Sequence, residues 1–393
     1  MSIPSVRPLP PAIVLGLFYA ALFVGGGASL PFMPVWFKAQ GLSGAQIGVI
    51  LASPSFARTL AGPALALWAD GFRLRRTPMI WMGAGAALAF AAVGLLHGFW
   101  GWLIAWLTGS ILLGMLSPLA DVIVLRRSRR DGFTYGLPRG IGSAGYVFGN
   151  VAMGAIMLRA PVVSVLIWTV AAAALAGLGA RLLLPREPVH ETGEIPVRAD
   201  LVKGLGGLLR DPIFMLAIGS IGLIQASHGF YYGFSTLLWR RQGLPENLIG
   251  MLWGFGVGAE VLFMWFLEPW RRRIGPARLL IVGGVAALVR WTALALSPSP
   301  LWLFPVQALH ALTYAATFFA SLRLIERLSP PESASAAQTL NSVFSGGLMM
   351  GLVTLASGPI FDGWGFSGYF AMTAIAGQGL MGAVVLAVRL KAG

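Results

Sequence analysis

Apolar residues in this chain run in long blocks broken by short polar punctuation, with neither strict alternation nor a single apolar helical face. A helix needs about 20 apolar residues to cross a bilayer. Twelve runs meet that length: 12–37, 45–69, 78–97, 99–125, 136–158 and 161–184, then 212–239, 248–267, 277–296, 301–325, 336–361 and 365–388. The first run is too long for a signal-peptide core and leads into Lys38 rather than a small-residue cleavage site, so it reads as a retained helix. The pattern predicts an all-α polytopic membrane protein, with twelve transmembrane helices in two six-helix pseudo-symmetric halves, 1–184 and 212–393. The one long polar stretch, 185–211, reads as a cytoplasmic linker with a short interfacial helix around 201–209. Kinks are expected at Pro54, Pro63, Pro118 and Pro305.

Composition agrees with this class. The 393 residues are 57% hydrophobic and 11% charged, against roughly 25% charged in an average soluble domain. The net charge of +14 would raise nucleic-acid binding in a soluble protein. Here the basic residues gather in alternate loops: Arg73, Arg75 and Arg76; the run Arg126 to Arg130; the 185–211 stretch; Arg271, Arg272, Arg273 and Arg278; then Arg323 and Arg327. The intervening loops hold Lys38, Arg159, Arg240 and Arg241. This is the positive-inside asymmetry, so the basicity sets orientation in an inner (plasma) membrane, with both termini cytoplasmic and no nucleic-acid partner.

There are no cysteines, and the four histidines are not paired at metal-ligand spacing, so no metal site is expected. Phosphate loops and nucleophile elbows are absent from the sequence, which argues against an enzyme or an ATP-driven pump. The expected partners are a small solute, protons and the bilayer, with the proton gradient as energy source, no cofactor, and a monomer as the working unit.

The chemistry to explain is the charge inside the apolar runs. Glu260, Arg290 and His310 each stand in one of three successive segments, where an uncompensated charge costs several kcal/mol. Glu260 and Arg290 lie about 12 and 18 residues from the middle of their hairpin turn, a depth difference of about 9 Å that an arginine side chain nearly spans. Arg290 and His310 lie at nearly equal depth across the next turn. A proton relay and a static ion pair locking two helices both fit this spacing. The same reckoning pairs Asp121 with Arg139 across the fourth turn, as a solute contact, a gate or a buried bridge.

Arg58, near the middle of the second run, has no carboxylate within one turn, and an unpaired guanidinium suits an anion such as a carboxylate. It either touches the solute or pairs with an acid on another helix. The run Gln225 to Ser235 is the most polar and aromatic inside any apolar segment. His228 and Tyr232, one turn apart there, are candidates to stack on a ring-shaped ligand, or belong to a packed aromatic stripe. Tyr19, Gln338 and Asn341 are further solute candidates.

The halves also resemble one another. Asp70 to Pro78 lines up with Glu268 to Pro276, each an acid eight residues before a proline with basic residues between. Two halves of six, a long middle loop and such a loop after the second helix resemble the major facilitator superfamily. The resemblance implies a gating role for Asp70, Arg73, Arg76 and Glu268, although the glycine expected four residues before the acid is here Ala66. A narrower likeness covers nearly the whole chain. It rests on Leu30-Pro-Phe-Met-Pro-Val-Trp36, Phe56-Ala-Arg58, Ser117-Pro-Leu-Ala-Asp121, Tyr135-Gly-x-x-Arg139, Tyr231-Tyr-Gly-Phe-Ser235, Gly256-Val-Gly-Ala-Glu260 and Val289-Arg-Trp291. These are similar to the 3-phenylpropionate permease branch, whose wider kin include lactose permease and nucleoside:proton symporters. That implies proton symport of a small organic solute, most simply an aromatic monocarboxylate, with Glu260, Arg290 and His310 as the coupling cluster. Lactose permease has a further acid one turn after this histidine, where this chain has Thr313, so the proton carrier is most simply Glu260. An exporter of metabolites or drugs, or a sugar or nucleoside symporter, remains open, as does a non-transporting scaffold.

Overall fold

The computed structural model describes residues 9–189 and 205–392, nearly all of them helical. Six helices precede the gap: α1 Pro11–Ala39, α2 Gly44–Asp70, α3 Arg76–Leu95, α4 Gly98–Asp131, α5 Gly136–Met157 and α6 Val163–Leu183. Six follow it: α7 Pro212–Arg241, α8 Glu246–Phe266, α9 Pro276–Ala295, α10 Pro300–Leu328, α11 334–364 and α12 Gly368–Ala392. Short helices Leu205–Arg210 and Glu268–Ile274 lie outside these. By length and apolarity ten stretches can cross a membrane; one of these, Ala334–Lys391, contains both α11 and α12, which fold back at Gly365. Helix α2 is long enough but less apolar, since it carries Ser53, Ser55, Arg58 and Thr59. Of the expected interfacial helix, 201–204 falls outside the described residues, and the rest is helical from Leu205.

Several boundaries move from the expected ones for local reasons. The run Arg126 to Arg130 lies in the last turns of α4 rather than in a loop, where cations complement the helix dipole, and Gly132 ends the helix in the left-handed region at φ 75°. Helix α7 is interrupted between Ala226 and Gly229. There Ser227 Oγ donates to the Ile224 carbonyl and His228 Nδ1 to the Gln225 carbonyl, so side chains take up acceptors that the helix would have used. Two π-helical stretches, Ala311–Ala316 in α10 and Ser342–Met349 in α11, have no counterpart in the expected pattern.

Helices α1 to α6 pack mainly on one another, as do α7 to α12, and the two groups meet along α2 with α11, α5 with α8, and α1 with α7. An even number of crossings puts the start of α1 and the end of α12 at one face, the terminal face; the other is the loop face. Along the α2/α11 seam contact starts at the loop face. A Cβ on Gly358 would sit 2.3 Å from the Gly44 carbonyl oxygen, and deeper in, Gly351 meets the Phe56 ring and Gly347 meets Thr59. Beyond Thr59 the seam parts, and Leu60 is 81% exposed. The seam is closed at the loop face and splays toward the terminal face.

A carboxylate holds that closure. Asp362, near the end of α11, accepts from the Gly44 amide at 2.9 Å and the Ala45 amide at 3.0 Å, the first turn of α2. Free amides and the helix dipole together favour one anion there by about 0.3–1 kcal/mol at an exposed site. Replacing Asp362 by Ala is expected to raise the loop-face-open population about two- to fivefold. The check is the labelling rate of a cysteine at Leu51, which packs against Gly233 of α7, in a chain that has no other cysteine. Equal labelling of the parent and the variant would remove the latch.

Candidate functional site

Arg290 is the centre of the larger cluster. It has no exposed surface, because α9 turns it inward beneath Tyr231 and Trp291, whose rings lie 4.5 and 4.8 Å from its guanidinium carbon. Its Nη2 donates to Gln307 Oε1 at 2.6 Å, and its Nη1 donates to both His310 Nδ1 at 2.9 Å and Thr313 Oγ1 at 3.2 Å. All three partners are neutral and lie on α10, Thr313 within the π-helical stretch that starts one residue after His310. His310 Nε2 faces Glu260 Oε2 at 3.5 Å, and the Glu260 side chain is 14% exposed. Glu260 and Arg290 therefore do not pair directly: the imidazole stands between a partly exposed acid and a cation with no exposed surface. Tyr314 stacks on His310 with centroids 5.4 Å apart.

His228, Tyr232 and their neighbours close the far side. His228 is fully buried and both of its ring nitrogens are bonded, Nδ1 to the Gln225 carbonyl and Nε2 to Thr313 Oγ1 at 2.9 Å. Tyr232 stacks on it, centroids 5.6 Å apart, and remains half-buried.

The second cluster joins α1, α4 and α5. Asp121 accepts from the Tyr19 hydroxyl, from the Tyr135 hydroxyl at 2.8 Å and from Arg139 Nη1 at 3.4 Å, and Arg139 also donates to Ser117 Oγ. The expected Asp121 and Arg139 pair is present, but both side chains are about a third exposed, so it lies at an accessible surface rather than deep in packing. The Arg139 guanidinium also rests over the Phe23 ring at 4.7 Å.

Arg58 is exposed; its Nε donates to the Pro54 carbonyl, and no carboxylate contacts it among the described residues. Gln338 and Asn341 lie elsewhere on α11. Gln338 donates to the Leu322 carbonyl of α10, and Asn341 accepts from Ser345, so neither is bonded to the other candidates.

At the terminal face the loop that carries Asp70, Arg73 and Arg76 is stitched to the start of the 185–211 stretch. Val189 N–H donates to the Arg73 carbonyl, Arg75 N–H donates to the Glu187 carbonyl, and Arg76 Nη1 donates to the Arg181 carbonyl at 2.9 Å. Glu187 lies 3.7 Å from Arg127; burial pushes its carboxyl up from the usual range, against the pull of Arg127. Asp70 is exposed, and Glu268 opens the short helix Glu268–Ile274.

Sequence reasoning missed Gln307, Tyr135, Ser117 and Tyr314 as site members, and Asp362 as a bond between helix groups. All but Asp362 are uncharged, and an uncharged polar residue in an apolar run carries no signal of what it faces.

Comparison with known proteins bears on the fold and class. The chain is 27% identical over 372 residues to the "Probable 3-phenylpropionic acid transporter" of Escherichia coli (strain K12), covering 92% of this chain and 94% of that protein. It is 29% identical to the "Maltose permease" of Geobacillus stearothermophilus, covering 89% and 88%. The crystal structure of nucleoside transporter NupG superposes with a TM-score of 0.83 over 98% of this chain and 100% of that one, at 16% identity, a likeness of fold alone. The sequence profile of the MFS_1-like family matches residues 12–372. A multi-pass membrane protein and secondary transporter of a small molecule rather than an enzyme, this chain belongs to the MFS_1-like family.

Proposed function

We propose that this chain is a proton-coupled symporter of a small organic anion, an aromatic monocarboxylate of the phenylpropionate kind. It works as a monomer without a cofactor in a bacterial inner membrane, both termini cytoplasmic. The observation that carries the reading is the order Glu260, His310, Arg290: the acid is within reach of water, and the cation it would neutralise is reached only through an imidazole. A proton loaded on Glu260 changes the field at Arg290, and so the affinity of the cleft for an anion. Arg58 supplies a guanidinium that no carboxylate of the described residues neutralises, and its fork matches a solute carboxylate. Asp121, Arg139 and Tyr232 line the rest of the path, with Tyr19 buried behind Asp121 and bonded to it. The groups 1–184 and 212–393 rock about the 185–211 stretch, with Asp70, Arg73, Arg76 and Glu268 at the gating loops. The 27% identical relative named for 3-phenylpropionic acid supports the solute class.

A second reading is a sugar symporter. The Asp121 cluster offers hydroxyl donors and acceptors at an accessible surface, and another relative is named a maltose permease.

Liposomes holding the purified protein and given an imposed pH gradient distinguish the readings. Labelled 3-phenylpropionate is expected to accumulate, and maltose and uridine are not. Gradient-driven accumulation of maltose alone would replace the anion reading. Replacing Arg58 by Gln is expected to raise KM for the carboxylate about tenfold or more, in line with the 1.5–3 kcal/mol of a hydrogen bond to a charged group. Arg58→Lys should recover part of it. An unchanged KM in Arg58→Gln would take Arg58 off the solute.

A further inference from the structure

The bonds around Thr313 form a chain whose direction is set at its buried end. A backbone carbonyl can only accept, so His228 Nδ1, 2.9 Å from the Gln225 oxygen, carries that ring's proton. The groups facing His228 are Tyr232 on its own helix, Arg290 and Trp291 on α9, and His310, Thr313 and Tyr314 on α10. No carboxylate contacts it among the described residues. A second proton would place a cation beside Arg290 with no counter-ion, so the ring is neutral and its Nε2 accepts. At 2.9 Å it takes the single hydroxyl proton of Thr313.

Thr313 then presents only lone pairs to Arg290 Nη1 at 3.2 Å. The other Nη1 proton goes to His310 Nδ1 at 2.9 Å. An accepting Nδ1 leaves a neutral His310 with its proton on Nε2, the atom 3.5 Å from Glu260.

We propose that His228 is a positioning residue: by drawing the Thr313 hydroxyl proton it holds Arg290 in the pose that fixes His310 as the Nε2–H tautomer facing Glu260. Its consequence for coupling rests on the symport reading; the tautomer assignment does not. Without His228 the nearest acceptor for the Thr313 proton is the His310 carbonyl at 3.4 Å, a poor bond. The hydroxyl is then free to turn its proton toward the guanidinium, and Arg290 loses an acceptor. Once Arg290 leaves Nδ1, His310 can protonate there, and Glu260 loses a donor that favours its ionised form.

The test is solid-state NMR of the full chain, 15N-labelled at histidine and reconstituted in bilayers, with His97 and His190 replaced by Gln to simplify the spectrum. In this parent, His228 is expected as Nδ1–H and His310 as Nε2–H. In His228→Phe, which keeps a ring against Trp291, and in Thr313→Val, the His310 tautomer ratio is expected to move toward Nδ1–H about fivefold, the equivalent of one hydrogen bond. Thr313→Ser, which keeps the hydroxyl, should hold the parent ratio. In liposomes the pH of half-maximal uptake should rise by about half a unit in both shifted variants. His228 found as Nε2–H in the parent would reverse the chain and overturn the proposal, whether or not His228→Phe folds. So would a His310 ratio unchanged in Thr313→Val. Absence of gradient-driven uptake by the parent would sink the symport reading and leave the NMR result to decide the tautomer.

Discussion

Replacing Glu260 by Gln is expected to abolish accumulation driven by a pH gradient while leaving exchange of solute across the membrane intact. One proton carried per monocarboxylate lets a gradient of one pH unit support about a tenfold concentration ratio, since one unit is about 1.4 kcal/mol. The amide mimics the protonated acid, has nearly its shape, and still offers Oε1 to His310 Nε2, so the 3.5 Å contact and the packing around it persist. What it cannot do is release the proton. The ratio at one unit of gradient should fall from about ten to about one, with counterflow of labelled solute into preloaded vesicles close to the parent's. The opposite pattern, lost counterflow with retained accumulation, would move the proton elsewhere. Among the described residues the other acid within an apolar run is Asp121, already bonded to two tyrosines and Arg139.

The twelve helices were legible because the bilayer imposes one rule on every spanning segment, and apolar length alone reports it. The charged site members were legible for the complementary reason. Glu260, Arg290, Asp121 and Arg139 are costly in hydrocarbon, so their presence in apolar runs already implied partners. Hairpin depth found the Asp121 and Arg139 pair, yet it could not order the larger cluster. Depth fixes position along a helix axis and leaves the facing direction free. Depth leaves Glu260 and Arg290 about 9 Å apart, within reach of an arginine side chain, whereas the structure places His310 between them. Two local irregularities lie beside the cluster, the break in α7 at His228 and the π-helical stretch Ala311–Ala316 that begins after His310 and holds Thr313. That stretch has no proline or glycine to announce it. Gln307 escaped notice because an uncharged polar residue costs little at a helix surface, and only its azimuth tells whether it meets a guanidinium or lipid. Asp362 lay near a segment end, where an acid is unremarked, and its value comes from the α2 terminus that the fold brings to it.

Replacing Gly358 by Val is expected to stop transport altogether by a route that touches no charge. A Cβ at 358 would lie 2.3 Å from the Gly44 carbonyl oxygen and 2.7 Å from the Ala45 Cα. Both are backbone atoms that cannot swing aside as a side chain would, and valine adds two methyl groups beyond that Cβ. Overpacking of this kind costs typically 1–3 kcal/mol. Here α2 can relieve it by moving away from α11, which also pulls the Asp362 carboxylate off the Gly44 and Ala45 amides. The two effects point the same way, so the ratio of loop-face-open to loop-face-closed protein should rise by about ten- to a hundredfold, with uptake reduced to background. Labelling of a cysteine at Leu51 reads the first quantity and liposome uptake the second. Gly346→Ala is the control, because a Cβ there meets nothing within 4 Å, and its labelling and uptake should match the parent's. Gly358→Val with parental labelling and more than about half the parental uptake would mean that the seam yields without opening. The closed loop face would then not be one end of a transport cycle.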